Sequence, residues 1–294
     1  MRDKLVRGQS IDGAIRVFAA VTTEIANRAQ QIHQSMPVAA AALGRTLTAA
    51  ALMGAQLKNE TDSVTIQFAG DGPLGKLVAV TDSASHVRGY VENPQIELPL
   101  NKKGKIDVGG GIGRGRLSIV RDLGMKEPYV GQVPIVTGEI AEDITYYYAK
   151  SEQIPTAAGL GVLVDTDYSV KAAGGFMIQL MPFATDETAL RLEKQVREIP
   201  SVTDMITSGM DAEDILFKVC EGFDMIMDNN AVVPEYECKC SRERMERALI
   251  SIGREELLKI INDTGEAELT CQFCDNKYLF NRHELETLLA QTKK

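Results

Sequence analysis

The sequence predicts an α+β fold in three parts: a helix-backed, largely antiparallel sheet domain over residues 1–181, a helical linker over 182–230, and a small cysteine-bearing domain over 231–294. Three observations predict it. Short β-rich runs broken by turn residues recur through the first part. Acidic charge concentrates in the second, where 11 acidic side chains face 4 basic ones, whereas residues 1–181 balance at 18 each and residues 231–294 hold 10 basic against 12 acidic. Four of the five cysteines fall in the last 57 residues.

The elements run in order along the chain. Alanine, leucine, methionine and glutamine dominate Ala26 to Leu57. Pro37 stands where a helix can begin, because its fixed φ suits a first turn that needs no N–H from it, so two successive helices are expected. Strands are expected at Ser63–Ala69, Lys76–Thr81, Val87–Val91, Arg116–Val120 and Gly131–Thr137, separated by turns such as Asp71-Gly72-Pro73 and Asn93-Pro94. Glu139 to Gln153 has helical composition, and two long strand patterns, Gly159–Asp165 and Ser169–Met181, meet at a turn around Asp167-Tyr168.

Helical spacing then resumes. Ala189, Leu192, Val196 and Ile199 share one face, and Ile215, Leu216, Val219, Phe223, Ile226 and Met227 share the face of a second helix that also carries Cys220. Ser241 can cap a helix over Arg242–Ser251 that turns Met245, Ala248, Leu249 and Ile252 inward. Glu255 to Asn262 forms another, closed by Gly265. Glu268–Thr270 leads into a cysteine turn, Lys277–Phe280 leaves it as a strand, and Asn281 can cap a last helix.

Several function classes lack their residues. Gly70-Asp-Gly-Pro-Leu-Gly75 misses the Lys-Ser/Thr of a phosphate-cradling loop, and Gly109-Gly-Gly-Ile-Gly-Arg-Gly115 is not Gly-x-Gly-x-x-Gly, so both are expected to be hairpin turns and no ATP site is expected. His33, His86 and His283 stand in no motif with a nucleophile, so no catalytic residue is assigned and the chain is expected not to be an enzyme. Tyr146-Tyr147-Tyr148 is expected to pack in a core. No apolar run approaches the ~20 residues of a membrane span. The opening Met-Arg-Asp-Lys-Leu-Val-Arg carries no apolar signal stretch, and residues 1–219 hold no cysteine, which together point to a reducing cytoplasm.

The cysteines are the strongest signal. Cys238-Lys-Cys240 and Cys271-Gln-Phe-Cys274 are two close pairs separated by 30 residues. Each pair supplies two sulfurs from one short turn, and two such turns close a tetrahedron, the arrangement that holds one structural Zn²⁺. The last domain is therefore a zinc domain by expectation. Having fewer than ~70 residues, it should draw much of its folding free energy from the metal. Thiolates are also what oxidants attack, so the site is either inert or a redox sensor, and spacing leaves both open. Between Met177 and Met245 lie seven of the eleven methionines, whose flexible thioethers suit contact with unrelated partners. That segment is either a pair of ordinary surface helices with a buried thiol or an apolar surface held in reserve.

Tyr236-Glu-Cys-Lys-Cys-Ser-Arg-Glu-Arg244 followed by Cys271-Gln-Phe-Cys274-Asp-Asn-Lys-Tyr-Leu-Phe280 resembles the heat shock protein 33 family, redox-switched holdase chaperones. Gly70 to Gly75, Tyr147-Tyr148-Ala-Lys-Ser-Glu-Gln153 and the acidic linker extend the resemblance along the chain. It implies that Cys238, Cys240, Cys271 and Cys274 bind Zn²⁺ when reduced and form disulfides Cys238–Cys240 and Cys271–Cys274 when oxidised. It also implies ATP-independent binding of unfolding client proteins and a homodimer in the active state. Met177, Met181, Ile215, Leu216, Val219, Phe223, Ile226 and Met227 are the expected client contacts. Two other classes compete. A zinc-ribbon regulatory or nucleic-acid-binding module would want a basic groove with aromatics, whereas residues 231–294 are slightly acidic. A thiol oxidoreductase using Cys271 and Cys274 would want a βαβ pattern around them.

Overall fold

The structure is a computed structural model that describes residues 2–229 and 231–292. The chain divides into two compact units, Met1–Glu237 and Cys238–Lys294. The first unit opens with a hairpin of β1 (Lys4–Ser10) and β2 (Ile15–Val21), then α1 (Thr23–His33) and α2 (Pro37–Gly54). Three strands come next, β3 (Ser63–Gly70), β4 (Lys76–Asp82) and β5 (His86–Val91), and after them α3 (Val108–Ile112), β6 (Gly115–Asp122) and β7 (Tyr129–Pro134). A helix α4 (Ala141–Tyr147) runs into a π-helical turn at Tyr148–Glu152, and β8 (Thr156–Val164) and β9 (Val170–Leu180) form a hairpin. Helices α5 (Asp186–Glu198), α6 (Val202–Thr207) and α7 (Ala212–Val219) precede two short strands, β10 (Met225–Met227) and β11 (Glu235–Tyr236).

Two sheets result. One has the order β10-β1-β2-β9-β8 and is antiparallel throughout; the other has the order β11-β5-β4-β3-β6-β7, antiparallel except for β11 on β5. Helix α2 touches strands of both sheets, so no side of it faces water over most of its length. Its sequence explains how. Seven alanines and Gly44 let strands approach closely, and a Cβ on Gly44 would come within 3.0 Å of Val162. The hydroxyls of Thr46 and Thr48 donate to the carbonyls of Ala42 and Gly44, so burial leaves neither hydroxyl unpaired. Among the described residues α2 is the one helix long and apolar enough to cross a bilayer, and its residues form the core of this unit.

Strand β2 is buried on both faces. Phe18 and Ala20 point toward α2, whereas Ile15, Val17, Ala19 and Val21 point the other way and meet Leu192, Val202, Met205, Ile215, Leu216 and Val219. The acidic segment 182–230 thus supplies the helices that cover the second face of the five-stranded sheet. Its helices start on good caps: the side chains of Thr185, Ser201 and Asp211 each accept a backbone N–H of the first turn.

Three sequence expectations need correction: Ala248 and Ile252, expected to turn inward, are exposed, Ile252 by 46%, and the other two concern the first unit. The second amphipathic helix ends at Val219, not near Met227, because Gly222 adopts φ +83° and turns the chain into β10, which pairs with the edge of β1. Phe223, Ile226 and Met227 therefore do not share a helical face with Ile215. The second glycine-rich stretch is not a hairpin turn: it forms α3 and enters β6. The first does join β3 to β4, and it docks on the second through N–H groups of Asp71, Gly72 and Leu74 that donate to the carbonyls of Arg114, Ile112 and Gly111. A Cβ on Gly70 would overlap the carbonyl oxygen of Ile112. Glycine is needed there for close backbone approach. Tyr147 and Tyr148 are core residues, as expected.

The second unit packs α8 (Arg242–Ser251), α9 (Arg254–Asp263) and α10 (Arg282–Gln291) around a hairpin of β12 (Glu266–Thr270) and β13 (Lys277–Asn281). Its fully buried apolar side chains are few: Leu249, Leu257, Ile261, Phe280, Leu285 and Leu288. Ser241 and Asn281 cap α8 and α10 as the sequence predicts.

Gly70→Ala should lower stability by about 2 kcal/mol or more in denaturant unfolding, because the clash is with backbone, whereas Gly104→Ala, with nothing near its Cβ, should cost only the ~1 kcal/mol of its positive φ. The buried Asp3 carboxylate accepts the N–H groups of Glu24 and Ile25 at the start of α1, yet burial outweighs these bonds and raises its pKa to about 6. The folded state therefore holds this proton to a higher pH than the unfolded chain. Its contribution to stability is complete below 3.8 and is lost as pH rises through about 6. Asp3→Asn should flatten the pH dependence of unfolding in that window, by on the order of 2–3 kcal/mol across it.

Candidate metal centre

Local structure delivers the four thiols. Cys240 directly precedes Ser241, the N-cap of α8, and Cys271 follows β12. The turn after it is closed by the N–H groups of Cys274 and Asp275, both donating to the carbonyl of Cys271, and by the Cys271 N–H donating to Asn276. Asp275 at φ +57° makes the reversal that brings Cys274 back beside Cys271. Around this turn Arg242 stacks over the Phe280 ring, 4.3 Å from its centroid, and pairs with Glu284 at 2.7 Å, tying α8 to β13 and α10.

All four sulfurs lie within 4.8 Å of one another. The Cys238 and Cys271 sulfurs are 3.7 Å apart, and those of Cys240 and Cys274 are 3.4 Å apart. A disulfide would need ~2.05 Å, and all four are free thiols. A tetrahedron with Zn–S bonds of about 2.3 Å has edges of about 3.8 Å, so small outward shifts would fit these sulfurs to Zn²⁺. Four soft sulfur donors favour such a metal over the hard cations that prefer oxygen.

The thiols are not equivalent. Burial pushes Cys238 up to about 11 and also raises Cys274. Burial acts the same way on Cys240, but the Tyr278 hydroxyl, 3.1 Å from its sulfur, and the neighbouring thiols outweigh it and bring Cys240 down to about 7. Cys240 is thus the thiolate end of the cluster, and Tyr278 is its outer hydrogen-bond donor. Sequence reasoning misses Tyr278; its one signal is alternation along β13, which pairs Tyr278 with Leu269.

The other expected contacts do not form one patch. Ile215, Leu216 and Val219 are buried against the five-stranded sheet, with Cys220 beside them; burial alone pushes that thiol up to about 12. Met177 is buried on the opposite face of β9, its sulfur 3.3 Å from the Gln56 amide. Met181 is half-buried just past β9. Phe223 lies half-buried under the Arg191 guanidinium, Met227 is half-buried, and Ile226 is 52% exposed on the β10 edge.

Comparison with known proteins gives a consistent picture. The family model described as "Hsp33 protein" matches residues 3–281. A "33 kDa chaperonin" of Clostridium acetobutylicum is 52% identical over 293 residues, covering 99% of this chain and 98% of the relative. One of Ruminiclostridium cellulolyticum is 47% identical with both chains fully covered. The crystal structure of a 33 kDa chaperonin (heat shock protein 33 homolog) from Thermotoga maritima superposes with a TM-score of 0.91 at 38% identity, covering 99% of each chain.

Stripping bound metal with a strong chelator under reducing conditions should unfold the second unit and leave the sheets of the first folded. Hydrogen exchange would show protection lost over 238–294 and kept in β1–β9, because the six-residue core cannot replace the ~10 kcal/mol or more that structural zinc supplies. Tyr278→Phe should weaken zinc affinity about 10- to 100-fold in chelator competition while leaving one zinc per chain.

Proposed function

The chain belongs to the Hsp33 family, and on that premise we propose that it is an ATP-independent holdase chaperone switched on by oxidation of its four clustered cysteines. The observation that carries this reading is the cluster itself: four free thiols within 4.8 Å of one another, with the Tyr278 hydroxyl 3.1 Å from the Cys240 sulfur. Bound zinc would offset half the charge of four thiolates and tie the two cysteine turns together.

Oxidation undoes that arrangement by simple stoichiometry. Two thiolates, one hydrogen peroxide and two protons give one disulfide and two waters, so two peroxides consume all four ligands. A disulfide sulfur is a poor zinc ligand, so the metal is released. In this structure the sulfur contacts at 3.7 and 3.4 Å cross between the two pairs, whereas the proposed bridges lie within them. Melting of the small unit reconciles the two: in a loosened chain, closing the shortest loop costs least entropy, which favours Cys238–Cys240 and Cys271–Cys274 over bridges that span the 30-residue gap.

The acidic segment and the short strand beyond it are tied to the sheets through β10 on β1, the Arg7–Asp228 ion pair at 2.7 Å and β11 on β5, and these ties end at Glu237, next to the first cysteine. In the proposed switch, loss of the second unit frees this end, and α5–α7, with an excess of seven acidic charges across 182–230, detach and stay soluble. Detachment would uncover Ile15, Val17, Ala19, Val21, Phe176 and Ile178 on the sheet, together with Ile215, Leu216 and Val219 on α7. Unfolding proteins in the cytoplasm would bind there without chemistry or nucleotide, and the active form would be a homodimer. Met177 faces the other way and is not part of this proposed surface.

Zinc release and client aggregation should be followed together on the reduced protein and after peroxide at mild heat. Zinc should leave, and aggregation of a thermally unfolding client should fall, in step and reversibly with a thiol reductant. Zinc loss with no gain in client capture would reduce the centre to a structural one. Peptide mapping of the oxidised chain should recover the two within-pair bridges; cross-pair bridges would show that oxidation occurs with the unit still folded.

A further inference from the structure

We propose a second metal site, in the first unit, in which Asp82, His86 and Glu237 bind a first-row divalent cation through one ring nitrogen and two carboxylate oxygens. The His86 Nδ1 lies 3.1 Å from Asp82 Oδ2 and 3.1 Å from Glu237 Oε2, and the three donor atoms fall within 4.8 Å of one another. Bonds of about 2.0–2.1 Å at tetrahedral angles require donor separations of about 3.3 Å, a few tenths of an ångström beyond the two that His86 makes.

Three pieces of regular backbone converge to make this geometry. Asp82 ends β4, and its Oδ1 accepts the N–H groups of Ala84 at 3.0 Å and His86 at 3.1 Å, which fixes the carboxylate with Oδ2 toward the ring. His86 opens β5. Glu237 follows β11, which runs parallel to β5 with Glu235 opposite His86, and its N–H donates to the Val87 carbonyl at 2.9 Å. Tyr236 secures the same strand by donating its hydroxyl to Gly89 at 2.9 Å. None of these three residues is a cysteine ligand, and all three lie in the first unit.

The chemistry differs from that centre as well. Two carboxylates and a neutral imidazole carry a formal charge of −2, which a divalent cation cancels, and nitrogen with oxygen donors suits Zn²⁺, Co²⁺ or Mn²⁺. All three side chains are partly exposed, so water can complete the coordination. Peroxide does not consume these ligands. A cation here would staple the strand that runs into Cys238 onto the six-stranded sheet, whatever the oxidation state of the thiols.

The test uses the reduced full chain with its four-thiolate centre already filled with Zn²⁺, titrated with Co²⁺ by calorimetry and visible spectroscopy. One further equivalent per chain should bind, with ligand-field bands but no sulfur-to-cobalt charge-transfer band. His86→Ala and Glu237→Gln should each weaken this binding at least about 10-fold, whereas His283→Ala should not. Glu237→Gln keeps the shape and a carbonyl oxygen, so it decides the matter should His86→Ala lose its fold. The proposal is overturned if no second equivalent binds, or if binding survives Glu237→Gln unchanged. Neither outcome depends on holdase activity, so the redox reading stands or falls separately.

Discussion

Four sulfur atoms within 4.8 Å of one another are a costly arrangement for a protein to hold. If all were ionised the repulsion would be large, and if all were protonated the cluster would offer little cohesion in return for ordering two turns. A soft dication resolves this by converting mutual repulsion into four bonds. In the proposed reading the second unit is built around that exchange, with its caps, its Arg242 contacts and its small apolar core held in place by the pinned cysteine turns. A site that is indispensable to folding is also a point at which folding can be revoked.

The first unit rests on another principle. Its core is a helix with no free side, enclosed by two sheets, and one of those sheets is itself covered on its second face by α5–α7. Stability here comes from apolar area removed from water and from backbone groups paired within the sheets, and it does not rest on the four clustered thiols. One chain thus joins a robust body to a conditional one. The outer layer of helices is intermediate, apolar on one side and strongly acidic on the other.

Much of this was legible in the sequence, for identifiable reasons. The cysteine site is written in local spacing, and local spacing survives in one dimension. Helix starts at Pro37, Ser241 and Asn281 were legible because caps are short-range chemistry. Sequence reasoning missed β1 and β2, whose near-continuous burial on both faces removes the alternation that marks a strand. It carried α7 too far, because Ile226 and Met227 keep helical spacing past Gly222, and only pairing with β1 overrides that pattern. It took α3 for a turn, because glycines chosen for close packing look the same as glycines chosen for a bend. Asp82, His86 and Glu237 were invisible as a group, since a parallel pairing of β11 with β5 joins positions about 150 residues apart.

Cys220 gives the outer helices a chemical clock. Burial pushes its thiol far above the ordinary range, so the reactive thiolate is scarce at neutral pH, and the side chain is enclosed besides. Any alkylating reagent therefore waits for α7 to leave the sheet, and the rate of labelling at this one atom counts those departures directly. That thiol sits in the layer of helices over the five-stranded sheet, in a different unit from the other four cysteines, so labelling at Cys220 reads separately from chemistry at the cluster.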